Sequence, residues 1–565
     1  MTTPVPDSTS AAPAVAAAAS PPGSPPRTGL AGAALLMAAL FLLSRVTGLA
    51  REMVISAQFG TSTELDAYLA AFRVPDLLFQ MVAGGALGSA FIPIFAEQWD
   101  SADAARAWQL FSRVLNLVLV TTAVLGGLAA LFAQPLVEWT IARGFAPDQQ
   151  LLTANLMRWM MISTTIFAVS GLLMGALNAL HHFLLPGAAP IVYNLLIIVG
   201  AWWLAPHYGV YGLVIGVVAG ALAHLAVQLP ALWRKGARYR WELAPAAWLG
   251  DADVRRVLLL MGPRVLGIFF VQMHFLVNTI LASGLDAGSL SALNFAWLLM
   301  LLPLGLFAQS VATVAFPALS AQIAVGDWQG MADSFVRILR IVIFLTVPAA
   351  FALFVLRVPL VQAVFERREF GPESTQLVAF ALQFYALGLV AHAVVEIAVR
   401  AFYAMHDTWT PVRVGIGAMI LNIALSFWWV QSLSFGGLAL ANTTATTIEM
   451  VLLLWLARRR LVHALGQATT EQATGQSAGG AAVGAGLLGA VGRSLAAGAI
   501  MAGAVWWMLP WLAHAPWQGR GFAPFLDAGL GLMGAALVYL AASALLRSQE
   551  LAPALALVLR RRRQS

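Results

Sequence analysis

The chain has 565 residues, of which 60% are apolar and only 10% charged, with a formal net charge of +7 and no cysteine. Soluble domains carry about 25% charged residues. This composition, with a mean hydropathy of +0.81, therefore excludes a soluble globular protein and points to an integral membrane protein of many spans, with membrane lipids as neighbours and no nucleic-acid partner. The lack of cysteine removes disulfides and thiolate metal sites.

Residues 1–28 are rich in Pro, Ala and Ser without helical period and read as a disordered tail. The run "GLAGAALLMAALFLL" that follows has no basic start and no convincing cleavage site, so it reads as a first span rather than a signal peptide. Stretches of about 20 apolar residues suffice to cross the hydrocarbon layer. Fourteen occur, centred near residues 42, 82, 119, 166, 196, 220, 268, 306, 344, 390, 421, 446, 501 and 535. The expected organisation is a six-span lobe at 29–232, a cytoplasmic loop at 233–253 and a second six-span lobe at 254–457. A cytoplasmic linker at 458–488, two further spans within 489–547 and a basic tail at 548–565 complete it.

Orientation follows from the cations. The loop after span six (Arg234, Lys235, Arg238, Arg240, Arg255, Arg256), the loop after span twelve (Arg458, Arg459, Arg460) and the C-terminus (Arg560 to Arg563) all fall on one side if the spans alternate. That side is predicted to be cytoplasmic, with both termini on it. Arg357, Arg367 and Arg368 are the exception, on the opposite face.

The two lobes look duplicated. "ALNALHHFLLP" (176–186) aligns without a gap on "AFYAMHDTWTP" (401–411), "FSRVL" (111–115) on "FVRIL" (335–339) and "SRVTG" (44–48) on "PRVLG" (263–267). The order is preserved and the offset stays at about 220 residues. An even number of spans per copy makes the two copies parallel, an arrangement in which transporters hold substrate between the halves and rock them.

Charges inside spans are costly and usually face a cavity or a partner. Span one carries Arg45, Arg51 and Glu52, and span two carries Asp66, Arg73 and Asp76. Arg45 and Arg73 lie deep and are expected to line a polar cavity between the lobes. Arg51, Glu52 and Asp66 either share it or are solvated at the hairpin exit. Arg73 and Asp76 are spaced to pair. Arg264 is the repeat counterpart of Arg45. His392, Glu396 and Arg400 follow one another at i, i+4, so Glu396 is either satisfied by Arg400 or linked to an ion. Glu449 sits among threonines that either coordinate Na⁺ or bond along their own helix. No P-loop, His/Cys ligand set or nucleophilic triad is present, so an enzyme is not expected, and neither is a cofactor or bound metal. Na⁺, H⁺ or the membrane potential would then supply the energy.

At "SRVTGLAREMVISAQFGTSTELDAYLAAFRVPDLL", "GALGSAFIPIFAE", "GPRVLG" and "RAFYAMHDTWTPV" the chain resembles the bacterial lipid II flippase family MurJ (MviN) of the MOP exporter superfamily, over roughly residues 30–460. The resemblance implies an all-α fold of fourteen spans, in which two six-helix lobes enclose a cationic cavity open alternately to each side and two added C-terminal helices offer a groove for a lipid tail. It implies an inner-membrane exporter of an undecaprenyl-pyrophosphate-linked glycan, lipid II, for peptidoglycan synthesis, in company with cell-wall synthesis proteins. Guanidinium groups suit a pyrophosphate. The family's essential span-one arginines fall on Arg45 and Arg51, its span-two acid on Asp66 and its basic residue before proline on Arg73. Arg264 and Arg400 would supply cations from the second lobe, with Asp66, Glu52 and Glu396 as gating or charge partners. A further family arginine and acid of span two fall on Phe79 and Gly84, and a span-eight pair falls on Leu298 and Leu301. These departures leave room for a different polyprenyl-linked substrate or a transport-inactive scaffold.

Overall fold

The computed structural model describes residues 27–82, 85–101, 103–242, 244, 248–471 and 479–552. The tail expected at 1–28 falls almost wholly outside the described residues, as do Gly84, linker residues 472–478 and the C-terminal tail from 553. The described residues contain helices and loops and no strand.

Helix α1 (Arg27–Phe59) leads into three shorter pieces, α2 (Thr63–Ala71), α3 (Arg73–Val82) and α4 (Gly85–Asp100). Pro75 explains the first break. It has no N–H to give Ala71 and its ring crowds that carbonyl, so the chain kinks at Phe72. The first half continues with α5 (Ala104–Leu131), α6 (Pro147–Ala179), α7 (Leu184–Val199) and α8 (Val210–Ala226). The second half contains α9 (Ala252–Ser283), α10 (Ser289–Pro303), α11 (Ser310–Ala324), α12 (Trp328–Val355), α13 (Arg357–Phe365), α14 (Pro372–Ala404), α15 (Trp409–Leu433) and α16 (Phe435–Glu471). A π-helical turn at Leu304–Gln309 joins α10 to α11 just after Pro303. Last come α17 (Gly479–Ala513) and α18 (Ala523–Leu545).

Among the described residues, twelve helical runs are long and apolar enough to cross a membrane. Helix α1 and the broken run α2–α4 occupy the places of the first two expected spans. One boundary differs from expectation: α16 continues through 458–471, and α17 already begins at Gly479, inside the expected linker. The segment "ARRRLVHALGQA" is made largely of good helix formers, and its cations do not interrupt the backbone.

The duplication is visible in the backbone. His181 and His406, aligned in the repeat, both adopt a left-handed conformation with φ of 55° and 57°, a region few non-glycine residues enter. Each is followed by the same bond across the helix end, His182 N to Leu177 O in one copy and Asp407 N to Phe402 O in the other, both at 2.9 Å. Gly209 and Ser434, again equivalent, share φ/ψ of 55°/−142° and 50°/−138°.

Four helices that start on the basic face are capped by aspartates: Asp103 on α5, Asp251 on α9, Asp327 on α12 and Asp407 on α15. Each carboxylate takes backbone N–H groups left over at a helix start. In the first half α1 packs on α7, α5 and α8 pack on α6, and α2 leans on α6. In the second, α14 packs on α10, α12 and α16, with α15 against α16. Helix α9 joins the halves, lying on α15 on one side and on α3 and α4 on the other. The appended pair docks through α17 on α12, where Met501 and Tyr539 meet Phe344.

Candidate functional site: a cavity between the halves

A cavity of about 350 Å³ lies between the halves, walled by α1, α2, α3, α6 and α7 from the first and by α10 from the second. Arg51, Glu52, Arg73 and Asp76 all line it. Arg51 Nη2 pairs with Glu52 Oε1 at 2.6 Å, and its Nη1 donates to Asn194 Oδ1 of α7 at 3.1 Å. Arg73 Nε donates to Thr279 Oγ1 of α9 at 2.8 Å, with the guanidinium 5.8 Å from the Phe275 ring centre. Asp76 does not pair with Arg73 as the spacing suggests. Its carboxylate accepts from Gln272 Nε2 of α9 at 2.9 Å. Both residues thus tie α3 to α9, and among the described residues Arg73 is left with its Nη groups toward the cavity. A bound anion there would meet guanidinium N–H donors in fork geometry.

The other expected site residues are placed elsewhere. Arg45 does not line this cavity: its Nη2 donates to Gln309 Oε1 in the π-helical turn, 3.2 Å away, over the Phe41 ring. Six residues on an α-helix turn through about 600°, which leaves Arg45 and Arg51 about 120° apart. The side chain of Arg264 lies outside the described residues. Glu396 and Arg400 satisfy one another at 2.6 Å on α14 and do not line the cavity. Glu449 faces a separate chamber. Among its threonines, Thr447 bonds along its own helix to Thr443 O, while Thr443 reaches across to Phe384 O of α14. Phe79 lines the cavity and packs edge-on against Phe167 at 5.7 Å.

Asp66 is neither solvated nor in the cavity. It is 2% exposed, and its carboxylate caps α10 of the other half. It accepts from Gly288 N at 2.8 Å, Ser291 N at 2.7 Å and Ser291 Oγ at 2.5 Å. A carboxylate at a helix N-terminus meets both free N–H groups and the positive end of the dipole. Around this clamp the halves touch through their backbones. A Cβ on Gly144 would collide with Gly284, and Gly144 N donates to Ser283 Oγ at 3.1 Å. Gly288, at φ +85°, lies against Thr61, and Thr61 Oγ1 meets Ser374 Oγ at 2.8 Å. Glu369 N reaches Ala57 O at 3.2 Å. These contacts close the face of the molecule opposite the basic loops.

The basic face is held differently, through ion pairs. Arg256 of α9 meets Glu97 of α4 at 2.9 Å, Arg106 of α5 meets Asp253 at 3.0 Å, and Arg113 pairs with Asp251 and Glu242. At least the outer of these are exposed pairs of small individual worth.

A family model described as "Lipid II flippase MurJ" matches residues 55–518. The chain belongs to the lipid II flippase MurJ family. A probable lipid II flippase MurJ of Vibrio cholerae is 31% identical over 88% of this chain and 93% of its own length. A lipid II flippase MurJ of Burkholderia cenocepacia is 33% identical over 76% of this chain and 84% of its own. Among solved structures, one of lipid II flippase MurJ in an inward closed conformation superposes with a TM-score of 0.74 at 22% identity, covering 90% of this chain and 98% of that one. An inward-facing MATE family transporter of the MOP superfamily follows at 0.64 and 14% identity, covering 75% and 96%. At these identities the structural likeness establishes the fold: this MurJ-family chain shares the two-lobe architecture of MOP transporters and is a multi-pass membrane protein.

Several partners escaped the sequence reading. Asn194, the lone amide in "PIVYNLLIIVG", carried a usable signal, because a polar side chain in such a run needs a partner. Gln272 and Thr279 gave none, since their partners Asp76 and Arg73 lie about 200 residues away.

Proposed function

We propose that this chain moves lipid II from the inner to the outer leaflet of the bacterial plasma membrane by alternating access, as a transporter and not an enzyme. The observation that carries the reading is the cavity between the halves, bearing Arg51 and Arg73 and sealed on the face away from the basic loops by Asp66 and the glycine contacts. Arg51 and Arg73 bind the pyrophosphate. Arg45 acts at the seam between α1 and the π-helical turn, Arg264 adds a cation from α9, and Glu52 holds Arg51 in place. The Glu396–Arg400 pair stiffens α14. Both termini lie in the cytoplasm, on the side of the basic loops. Transport is driven by an ion gradient or the membrane potential, and the product feeds cell-wall synthesis proteins on the outer side.

Phe79 in the cavity wall favours a second reading, export of another polyprenyl-linked glycan whose headgroup makes fewer polar contacts. Complementation separates the two. In cells depleted of their own lipid II flippase, the intact chain is expected to restore growth, and Arg73→Ala at equal membrane abundance is expected to fail. A well-inserted chain that does not rescue, yet flips a different polyprenyl-linked glycan in vesicles, would replace the first reading by the second.

A further inference from the structure

Outside the cavity, the second half buries a chain of imidazole and amide groups drawn from four helices. His274 Nδ1 on α9 lies 2.7 Å from Asn422 Oδ1 on α15. Its Nε2 lies 3.3 Å from Asn278 Nδ2, one turn along the same helix, and 3.3 Å from Asn442 Nδ2 on α16. Asn442 Oδ1 is 3.0 Å from His392 Nε2 on α14. The His392 ring packs edge-on against Trp297 of α10.

One assignment of donors and acceptors satisfies every contact in this chain with a neutral His274. His274 donates from Nδ1 to the Asn422 oxygen, and its Nε2 lone pair receives two amide N–H groups, so the ring is neutral. The same arrangement leaves Asn278 Oδ1, Asn422 Nδ2 and Ser426 Oγ buried without a hydrogen bond among the described residues, although these residues are only 7%, 3% and 0% exposed. An unmet buried polar group costs about 1–3 kcal/mol. The Asn278 oxygen is what a second state requires. A proton on His274 Nε2 turns that nitrogen into a donor; the Asn278 and Asn442 amides, each turned end for end, then offer their oxygens to it, and Asn442 Nδ2 donates to His392 Nε2 in its other tautomer.

We propose that His274, linked to His392 through Asn442, is a proton-binding site that couples proton movement to the transport cycle. The coupling half of this inference rests on the flippase reading above. The step is a simple acid–base exchange: a proton from water forms the Nε2–H bond, and release returns it to water. Access is provided by a chamber of about 300 Å³ lined by His274, Asn442, Thr446 and Glu449. Pro411 and Val412 also line it, which carries the chamber toward the first turn of α15 and the basic face. The titratable groups that face the pair are Arg73 from α3, Tyr385, Tyr403 and Glu396 (paired with Arg400) from α14, and Glu449 from α16. Helix α10 presents Trp297, and α15 presents Asn422 and Ser426, none of which ionises near neutrality. The link to the cavity is short. Thr279, the neighbour of Asn278, holds Arg73 Nε, so a charge on His274 is felt at the guanidinium, and an anion at Arg73 favours uptake of the proton by the same factor.

The test begins with the protein labelled with ¹⁵N-histidine in nanodiscs in potassium buffer, titrated over about pH 5 to 8.5, where imidazoles change charge. His274→Gln and His392→Gln assign the signals. The His274 ring nitrogens are expected to titrate, and Asn278→Leu, which removes the waiting acceptor, is expected to require about tenfold more protons for the same occupancy. A His274 ring that stays neutral throughout would overturn the site, as would signals that move when Na⁺ replaces K⁺ at fixed pH, which would make the occupant a metal cation. Coupling is then read in proteoliposomes at zero membrane potential. An imposed proton gradient is expected to accelerate lipid II flipping by the intact chain and not by His274→Gln. Equal rates with and without the gradient would overturn the coupling, whereas vesicles that flip no lipid II at all would remove the flippase reading and leave the spectra to decide the site.

Discussion

Asp66 shows how much a single side chain can carry across an interface. Its carboxylate takes three hydrogen bonds from the start of α10, and a buried charge of this kind at a helix N-terminus is worth up to about 2 kcal/mol. Asp66→Asn keeps the shape and one acceptor but loses the charge. The closed arrangement of that face is expected to lose about 1–2 kcal/mol relative to the open one, a shift of roughly 5- to 30-fold in population. Spin labels at the exposed positions Glu64 and Asp286, beside the seam, would read it, and an unchanged distance distribution would refute it. Asp407 makes a second residue-scale case. Burial pushes its carboxyl up, but the bonds from Thr410 and Trp409 and the nearby Arg460 guanidinium outweigh this and hold it below the ordinary carboxylate range. A lowered folded-state value stabilises the fold above the ordinary value of about 3.9 and loses that contribution as pH falls through the folded value. Thermal melting of the intact chain should therefore show an acid-side loss below about pH 4 that is smaller in Asp407→Asn. At this scale the sequence made the charged residues conspicuous, because each interrupts an apolar run. It did not show where they point: the grouping of Arg45 with Arg51 neglected the 120° that six helical residues put between them, and the capping role of Asp66 depends on a helix that begins more than 200 residues later.

Between elements, the two faces of the molecule are closed by different physics. On the basic face α9 meets α4 and α5 through ion pairs that water and salt weaken. On the other face backbone meets backbone, with glycines at 60, 144 and 288 where any side chain would collide. A rocking motion has to part this second seam. The absence of native cysteine allows a direct trial. Thr61 and Ser374, whose side-chain oxygens are 2.8 Å apart, lie close enough for a disulfide in the double variant Thr61→Cys/Ser374→Cys. Oxidation is expected to abolish lipid II flipping and reduction to restore it, with either single variant active in both conditions. Full activity of the oxidised pair, with the cross-link verified by mass, would show that the seam does not open. Helix positions were largely legible from apolar runs, and the break at Phe72 follows from Pro75. The helical course of 458–471 was not, because a polar composition read as a linker says little about whether good helix formers continue a helix that has already been nucleated.

For the whole molecule, duplication and charge asymmetry together define a direction. The matched left-handed histidines at 181 and 406 mark equivalent helix ends, and the six apolar helical runs between them put both ends on one side, so every loop that closes on the basic loops' side in one half has its counterpart on that side in the other. Lys235 and Asp286 lie on opposite faces by this count, and both are exposed. Retention of Lys and Arg on the cytoplasmic side then predicts that a maleimide that does not cross membranes labels Asp286→Cys in intact spheroplasts. It should label Lys235→Cys only after permeabilisation. Because the chain supplies no other thiol, each signal has one source. The reverse pattern would invert the molecule, place the Asp66 seam on the cytoplasmic side, and turn the direction of lipid transfer argued above into import. Labelling at both positions in intact cells would mean that the parallel duplication does not span the membrane as the two halves imply. The expected pattern places the ion-paired face, the one that water and salt weaken, on the side where the precursor is made, and makes parting of the glycine seam the event that releases it outward.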